Sequence, residues 1–292
     1  MRSFFQVFLF CCIPFINYAQ GSELIQIKQT SYEDRPHFVI STPAATYYYD
    51  IAGGGLSRMI DRDGLDWIAF RKDPWDTYPA SAASSYRGIP NLVYRSEEGG
   101  AGHPGHDRCS SEIIDKNTIR SVSTGGKWKW TWTFHEQFAE LAIDQVDPDH
   151  PYWFLYEGTP GGRFEPGRQY FGLESGGPIY AQPDLIKGSQ LSGFWQWIYF
   201  GHRDVDRVLC LAQITSDDQK DMYSYMGASP AGNASPDGMV VFGFGRAEGA
   251  QPLLKKANTF LLGFYERRID SPKDHRLVRK MIRKQLKRKN RD

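Results

Sequence analysis

The sequence predicts an all-β protein, an antiparallel sandwich or barrel, closed by a short basic C-terminal helix. Three observations carry this. Segments with a period of two recur along the chain, the clearest being "KWKWTWTFHE", in which Trp128, Trp130, Trp132 and Phe134 alternate with Lys129, Thr131 and Thr133. Gly, Pro and Asp punctuate the intervals at close spacing. No long helical period occurs before residue 270.

In chain order, "LIQIKQT" (Leu24–Thr30), "HFVIS" (His37–Ser41) and "ATYYYDIA" (Ala45–Ala52) read as strands. "GLDWIAFRK" (Gly64–Lys72) follows the turn at Asp61–Gly64. "FAELAIDQV" (Phe138–Val146) repeats the alternation of Lys127–Glu136 and pairs with it across Glu136–Gln137. "YWFLYEG", "FWQWIYF" (Phe194–Phe200), "DRVLCLAQI" (Asp206–Ile214), "GMVVFGFG" (Gly238–Gly245) and "NTFLLGFYE" (Asn258–Glu266) complete the set. The irregular stretches Asp73–Asn91, Glu97–Cys109, Thr159–Gly193 and Gly227–Gly238 are long for connections in a compact β protein, a property of functional or disordered loops, and the aromatic and charged content of the first three argues against disorder.

The first nineteen residues read as a signal peptide: Arg2, then the apolar run Phe4–Ile16, then Ala19 before Gln20. The run is shorter than the roughly 20 residues a spanning helix needs. The expected organisation is residues 1–19 signal peptide, 20–270 one β domain and 271–292 a basic helix or tail, in a secreted or periplasmic protein. Cleavage leaves Cys109 and Cys210, which form one disulfide in an oxidising compartment or stay as two separate thiols.

Net charge conceals an asymmetry. From Arg267 to Asp292 twelve Lys/Arg stand against three Asp, while the whole chain is +1, so the remainder is acidic. Leu277, Met281, Ile282 and Leu286 fall at helical spacing within this basic segment. It either packs by a narrow apolar stripe on the acidic body or meets an anionic surface, lipid or glycan. Nucleic acid is not an expected partner of an exported chain.

"YYYDIAGGGLSRMIDRDGLDWIAF" with "SSYRGIPN", and then "WTWTFHEQFAELAIDQVDPDHPYWFLYEGTPG", resemble the opening and the central meander of galactose-mutarotase-like proteins. The match covers about Tyr47–Gly161. It implies an antiparallel β-supersandwich and a carbohydrate-related role. The superfamily's epimerases need a histidine acid on the central strand and a late glutamate base. Here the comparable strand end carries Tyr156 and Glu157, and the late strand carries Glu266, so aldose epimerisation is not the expected reaction.

Several side chains carry possible chemistry. "GHPGHDRC" places His103 and His106 three apart on a Gly/Pro loop, where each reads as an acid, a base or a backbone-satisfied loop residue. No cofactor is implied; a divalent metal there needs a third ligand from Asp107, Cys109 or His202. Trp195 and Trp197 offer a sugar platform or a core, with His202 and Arg203 at the same strand end. Arg87, Arg108, Arg163 and Arg168 are turn arginines, each either suited to acidic sugars or a surface salt-bridge partner. Glu157 is either a pocket acid or the partner of Arg163 across the Gly161–Gly162 turn.

The expected partner is an oligo- or polysaccharide. The leading reading is a polysaccharide lyase-like enzyme with His106, His202, Glu157, Tyr86 and Tyr156 as catalytic groups. Arg87, Arg163, His103, Trp195, Trp197 and Arg203 then bind substrate. A glycoside hydrolase needs two opposed carboxylates, for which Glu157 and Glu174 are candidates. A noncatalytic glycan-binding protein and an envelope-associated protein are the rivals.

Overall fold

The computed structural model describes residues 24–71, 86–180, 184–185, 188–226 and 238–289. The expected signal peptide and most of the loops Asp73–Asn91 and Gly227–Gly238 lie outside them. Among the described residues no helix is long and apolar enough to cross a membrane.

The chain begins with a meander of β1 (Gln26–Tyr32), β2 (Arg35–Ser41), β3 (Ala45–Asp50) and β4 (Gly55–Asp61). Glu33 and Asp34, both at positive φ, make the two-residue turn of the first hairpin. A second run follows: β5 (Cys109–Asp115), β6 (Thr118–Ser123), β7 (Lys129–Phe134), β8 (Phe138–Gln145) and β9 (Phe154–Gly158). Beyond them come β10 (Gln169–Leu173), β11 (Gly176–Ile179), β12 (Leu191–Gly193), β13 (Trp197–His202) and β14 (Val208–Gln213). The last are β15 (Asp221–Met226), β16 (Met239–Phe244), β17 (Arg246–Ala247), β18 (Gln251–Pro252) and β19 (Thr259–Tyr265), before helix α1 (Pro272–Lys289).

One nine-stranded sheet has the order β11-β10-β13-β14-β19-β8-β7-β6-β5. The sheets β1-β2-β3-β4 and β12-β15-β16-β9 are stitched into a second layer by Gly88–Asn91. Ile89 exchanges backbone hydrogen bonds with Leu56 of β4, and Gly88 exchanges them with Glu157 of β9. The stitch carries β9 and its glutamate into the middle of that layer.

The core fills the space between the layers. In β7 the alternation read from the sequence is realised, with Trp130, Trp132 and Phe134 buried and the residues between them half-exposed. Phe154 of β9 stacks on Phe260 of β19 at 4.5 Å, and Tyr47 of β3 meets Phe134 of β7 at 5.1 Å, so both layers interdigitate. Each such buried aromatic contributes about 1.5–3 kcal/mol.

Helix α1 covers part of the outer face of the nine-stranded sheet. Ser271 caps it, accepting the Asp274 N–H while donating its hydroxyl to the Asp274 carboxylate, and Pro272 opens the first turn. Val278, Ile282 and Leu286 are buried against Trp197, Tyr199 and Val208. The apolar stripe therefore runs through Val278, whereas Leu277 is 39% exposed. Arg276, Arg279, Lys280, Arg283, Lys284, Lys287 and Arg288 line a basic surface on the helix. Cys109 and Cys210 are separate free thiols.

Candidate functional site

Strand alternation on β9 splits its side chains between two environments. Phe154 and Tyr156 enter the core, while Leu155 packs with Trp153, Tyr94, Met239 and Val241 in a separate cluster on the outer face. Glu157 shares the face of Leu155. Its carboxylate is 2% exposed and meets His103, a residue 54 positions earlier.

The loop bearing His103 is held against this face by two devices. Asp50 accepts the N–H groups of Ala52, Gly53 and Gly105 and the Nε–H of Arg35 at 2.7–3.1 Å. Gly88 supplies the other: a Cβ there would lie 2.7 Å from Pro104, so only glycine lets the loop lie on the strand.

His103 Nδ1 lies 2.6 Å from the Pro104 carbonyl oxygen, which can only accept, so Nδ1 carries a proton. Its Nε2 lies 2.6 Å from Glu157 Oε2. That contact holds one further proton, on the nitrogen as imidazolium–carboxylate or on the oxygen as imidazole–carboxylic acid. Asn91 donates its amide to both carboxylate oxygens at 3.4 and 3.5 Å and accepts the Trp153 indole N–H at 3.3 Å, which fixes the amide orientation. Among the described residues Oε1 of Glu157 receives nothing shorter than the 3.5 Å amide contact.

Arg246 supplies positive charge. Its Nη1 donates to Ser224 Oγ at 2.6 Å and to the Val241 carbonyl at 3.3 Å, while its buried Nε has no hydrogen-bond partner among the described residues. Burial lowers the guanidinium to about 10 and the charge of Glu157 opposes that fall, so Arg246 remains a cation at neutral pH. The charge of Glu157 thus acts on a buried guanidinium whose Nε–H is unpartnered among the described residues. Tyr86 and His106, both half-buried, pack edge to face at 5.2 Å and flank the His103 ring at 6.3 and 5.2 Å.

His103, His106, Tyr86 and Glu157 therefore converge, and the remaining sequence candidates do not join them. Tyr156 points into the core and donates to the Trp67 carbonyl, with burial raising its hydroxyl far above the ordinary range. Arg87 donates to the carbonyls of Ala69 and Gly238, and its charge acts on Tyr156. Arg163 is exposed, and the partner of Glu157 is His103. His202 Nε2 donates to Glu165 at 3.0 Å while Nδ1 accepts the Asp204 N–H, locking a strand end. Arg203 covers the Tyr180 ring at 4.7 Å.

The two tryptophans are not a sugar platform. Trp197 is buried beside Tyr199 and His275 under α1, and Trp195 stacks on Phe242 at the edge of the main core. Glu174 accepts the Gln196 and Trp197 N–H groups, so it is a backbone anchor and no opposed carboxylate for Glu157. The metal set considered around His103 is also dispersed: Asp107 pairs with Arg35, and Cys109 donates to the Ala52 carbonyl. Among the described residues Glu97, Asp147 and His150 cluster, but Lys127 already sits with both carboxylates.

Sequence reasoning missed Asn91, Arg246 and Trp153. Asn91 ends the "SSYRGIPN" stretch, which marks it only once Gly88 and Ile89 are known to bridge β9 and β4. Arg246 follows the "FGFG" strand end, a position with no distinguishing sequence signal.

No protein-family model matches the chain, and no curated protein matches it in sequence. Solved structures do resemble it. HI1317 shares 10% identity at a TM-score of 0.53, over 82% of this chain and 96% of that one. A galactose mutarotase-like protein from Lactobacillus casei shares 11% at 0.48, over 78% and 100%. A galactose mutarotase related enzyme from Lactobacillus acidophilus shares 11% at 0.48, over 80% and 100%. At this identity the likeness to HI1317 shows the fold alone, an antiparallel β-sandwich. Such a fold hosts many functions and does not choose the reaction.

Proposed function

We propose that this is an exported carbohydrate-active protein whose chemical centre is the His103–Glu157 pair, acting on an acidic glycan by lyase-type elimination. The observation that carries the reading is the buried His103–Glu157 contact, whose carboxylate charge acts on Arg246, a guanidinium with its Nε unpartnered among the described residues. In this reading Arg246 meets the uronate carboxylate and so acidifies the C5 proton. Glu157 Oε1 takes that proton, with His103 balancing the charge through the shared contact. The released electron pair forms the C4–C5 double bond as the C4–O bond breaks. Tyr86, the half-buried hydroxyl beside the pair, protonates the leaving oxygen.

A second reading has its own observation. Both nitrogens of His103 are committed, to Pro104 and to Glu157, as in a structural strut for a binding protein that turns nothing over. Incubation with polygalacturonate, alginate and hyaluronan separates the two. Elimination gives an ultraviolet-absorbing unsaturated product that Arg246→Met and Glu157→Gln abolish. Saturable binding of a polymer with no such product establishes the second reading and overturns the first. Export is tested separately, by whether the native protein's N-terminus is Gln20.

A further inference from the structure

Helix α1 leaves part of the nine-stranded sheet open. Between the helix and strands β8, β14 and β19 runs a groove of about 420 Å³. Phe138, Cys210, Ala212 and Leu261 form its floor, and Met281 and Ile282 its helical wall. Its volume lies within the roughly 300–1,000 Å³ range of small-ligand sites. Gln137, Phe138 and Gln285 line this groove and also a second cavity of about 490 Å³, so the two are contiguous.

The second cavity has the opposite character. Lys116, His135, Arg288 and Lys289 line it, with Glu136 as its one acid. Lys289 is held by Glu140 at 2.5 Å, whereas Lys116 and Arg288 have no ion-pair partner among the described residues. Burial, and after it the charges of Lys289 and Arg288, hold His135 below its ordinary value, so the local potential is positive despite Glu140. An apolar trough thus opens into a cationic mouth.

We propose that these joined cavities bind a free single-chain amphiphile, its acyl chain under α1 and its carboxylate head between Lys116 and Arg288. The apolar floor supplies affinity without selecting the head, and the two unpaired cations select an anion. The site lies on the outer face of the nine-stranded sheet, away from the His103–Glu157 pair in the other layer, and stands or falls independently of it.

Calorimetric titration of the full mature chain with dodecanoate and with dodecanol, both below their micellar concentrations, tests this. Saturable binding of one dodecanoate per chain is expected, with dodecanol weaker. Gln285→Trp, a half-buried position at the junction, should abolish binding of both while leaving the unfolding temperature near wild type. Charge reversal at Lys116 and Arg288 should weaken dodecanoate by about tenfold or more and leave dodecanol unchanged. Unsaturable dodecanoate binding, binding that survives Gln285→Trp, or equal effects of charge reversal on both probes overturns the proposal. So does co-sedimentation with phosphatidylglycerol vesicles by a chain that takes up no free dodecanoate, which assigns the basic helix to a bilayer instead.

Discussion

His103 Nε2 lies 2.6 Å from Glu157 Oε2 with both side chains out of solvent, joining a loop to the middle strand of a sheet layer. The contact sits where β9, the Gly88–Asn91 stitch and the Asp50-anchored loop meet. Because the imidazole also donates to Pro104, removing the carboxylate strands a polar ring in an apolar wall.

Glu157→Ala should therefore destabilise the protein by about 3–5 kcal/mol, the cost of orphaning one member of a buried pair. Glu157→Gln keeps a hydrogen-bonding group and should cost less, about 1–3 kcal/mol. Urea unfolding of both variants and of His103→Ala, arranged with the double variant as a cycle, gives the coupling directly. A coupling near zero would mean the pair does not hold the loop.

Asp221 sets a pH dependence. Its carboxylate accepts the Trp195 and Gly245 N–H groups, yet burial outweighs them and pushes it up to about 7. The unfolded value is about 3.9. Between those values the folded state binds more protons than the unfolded one, so this group's contribution to stability is present below about pH 4 and is lost as pH rises towards 7. The slope is on the order of 1 kcal/mol per pH unit. Thermal unfolding of Asp221→Asn should lack this component between pH 4 and 7; an unchanged difference from wild type across that range would contradict it.

The cysteines give a chemical check. Burial raises Cys109 to about 12 and Cys210 higher still, so neither is a thiolate at neutral pH. Thiol titration of a chain of residues 20–292 should find both free in urea and neither reacting promptly in the native state. A reductant should leave the unfolding temperature unchanged.

The helix offers a graded comparison. Ile282→Ala removes a side chain buried against the sheet and should cost about 2–4 kcal/mol, while Leu277→Ala on the exposed flank should change stability by less than about 0.5 kcal/mol. Equal effects in thermal unfolding would mean that α1 does not pack by the Val278–Ile282–Leu286 stripe.

These elements show what sequence makes legible. Trp130, Trp132 and Phe134 alternate with polar residues because one face is buried, so β7 is readable from period alone. The helix is readable as well, although Val278 rather than Leu277 completes its stripe, since a 3.6-residue period leaves adjacent apolar residues ambiguous. Trp195 and Trp197 were not assignable, because a strand apolar on both faces gives no sign of which face meets a ligand. The pairing of Glu157 with His103 depends on Gly88–Asn91 bridging β4 and β9, a register set by long-range backbone contacts. His202, beside two tryptophans in sequence, finds Glu165 for the same reason.

The central claim rests on Glu157 as the proton acceptor, and product formation tests it most directly. Glu157→Gln, confirmed folded by near-ultraviolet circular dichroism, is compared with wild type for ultraviolet-absorbing product from uronate polysaccharides. The account predicts wild-type product on at least one polymer and a loss of about a hundredfold or more in the variant. Turnover undiminished in the folded variant would contradict it.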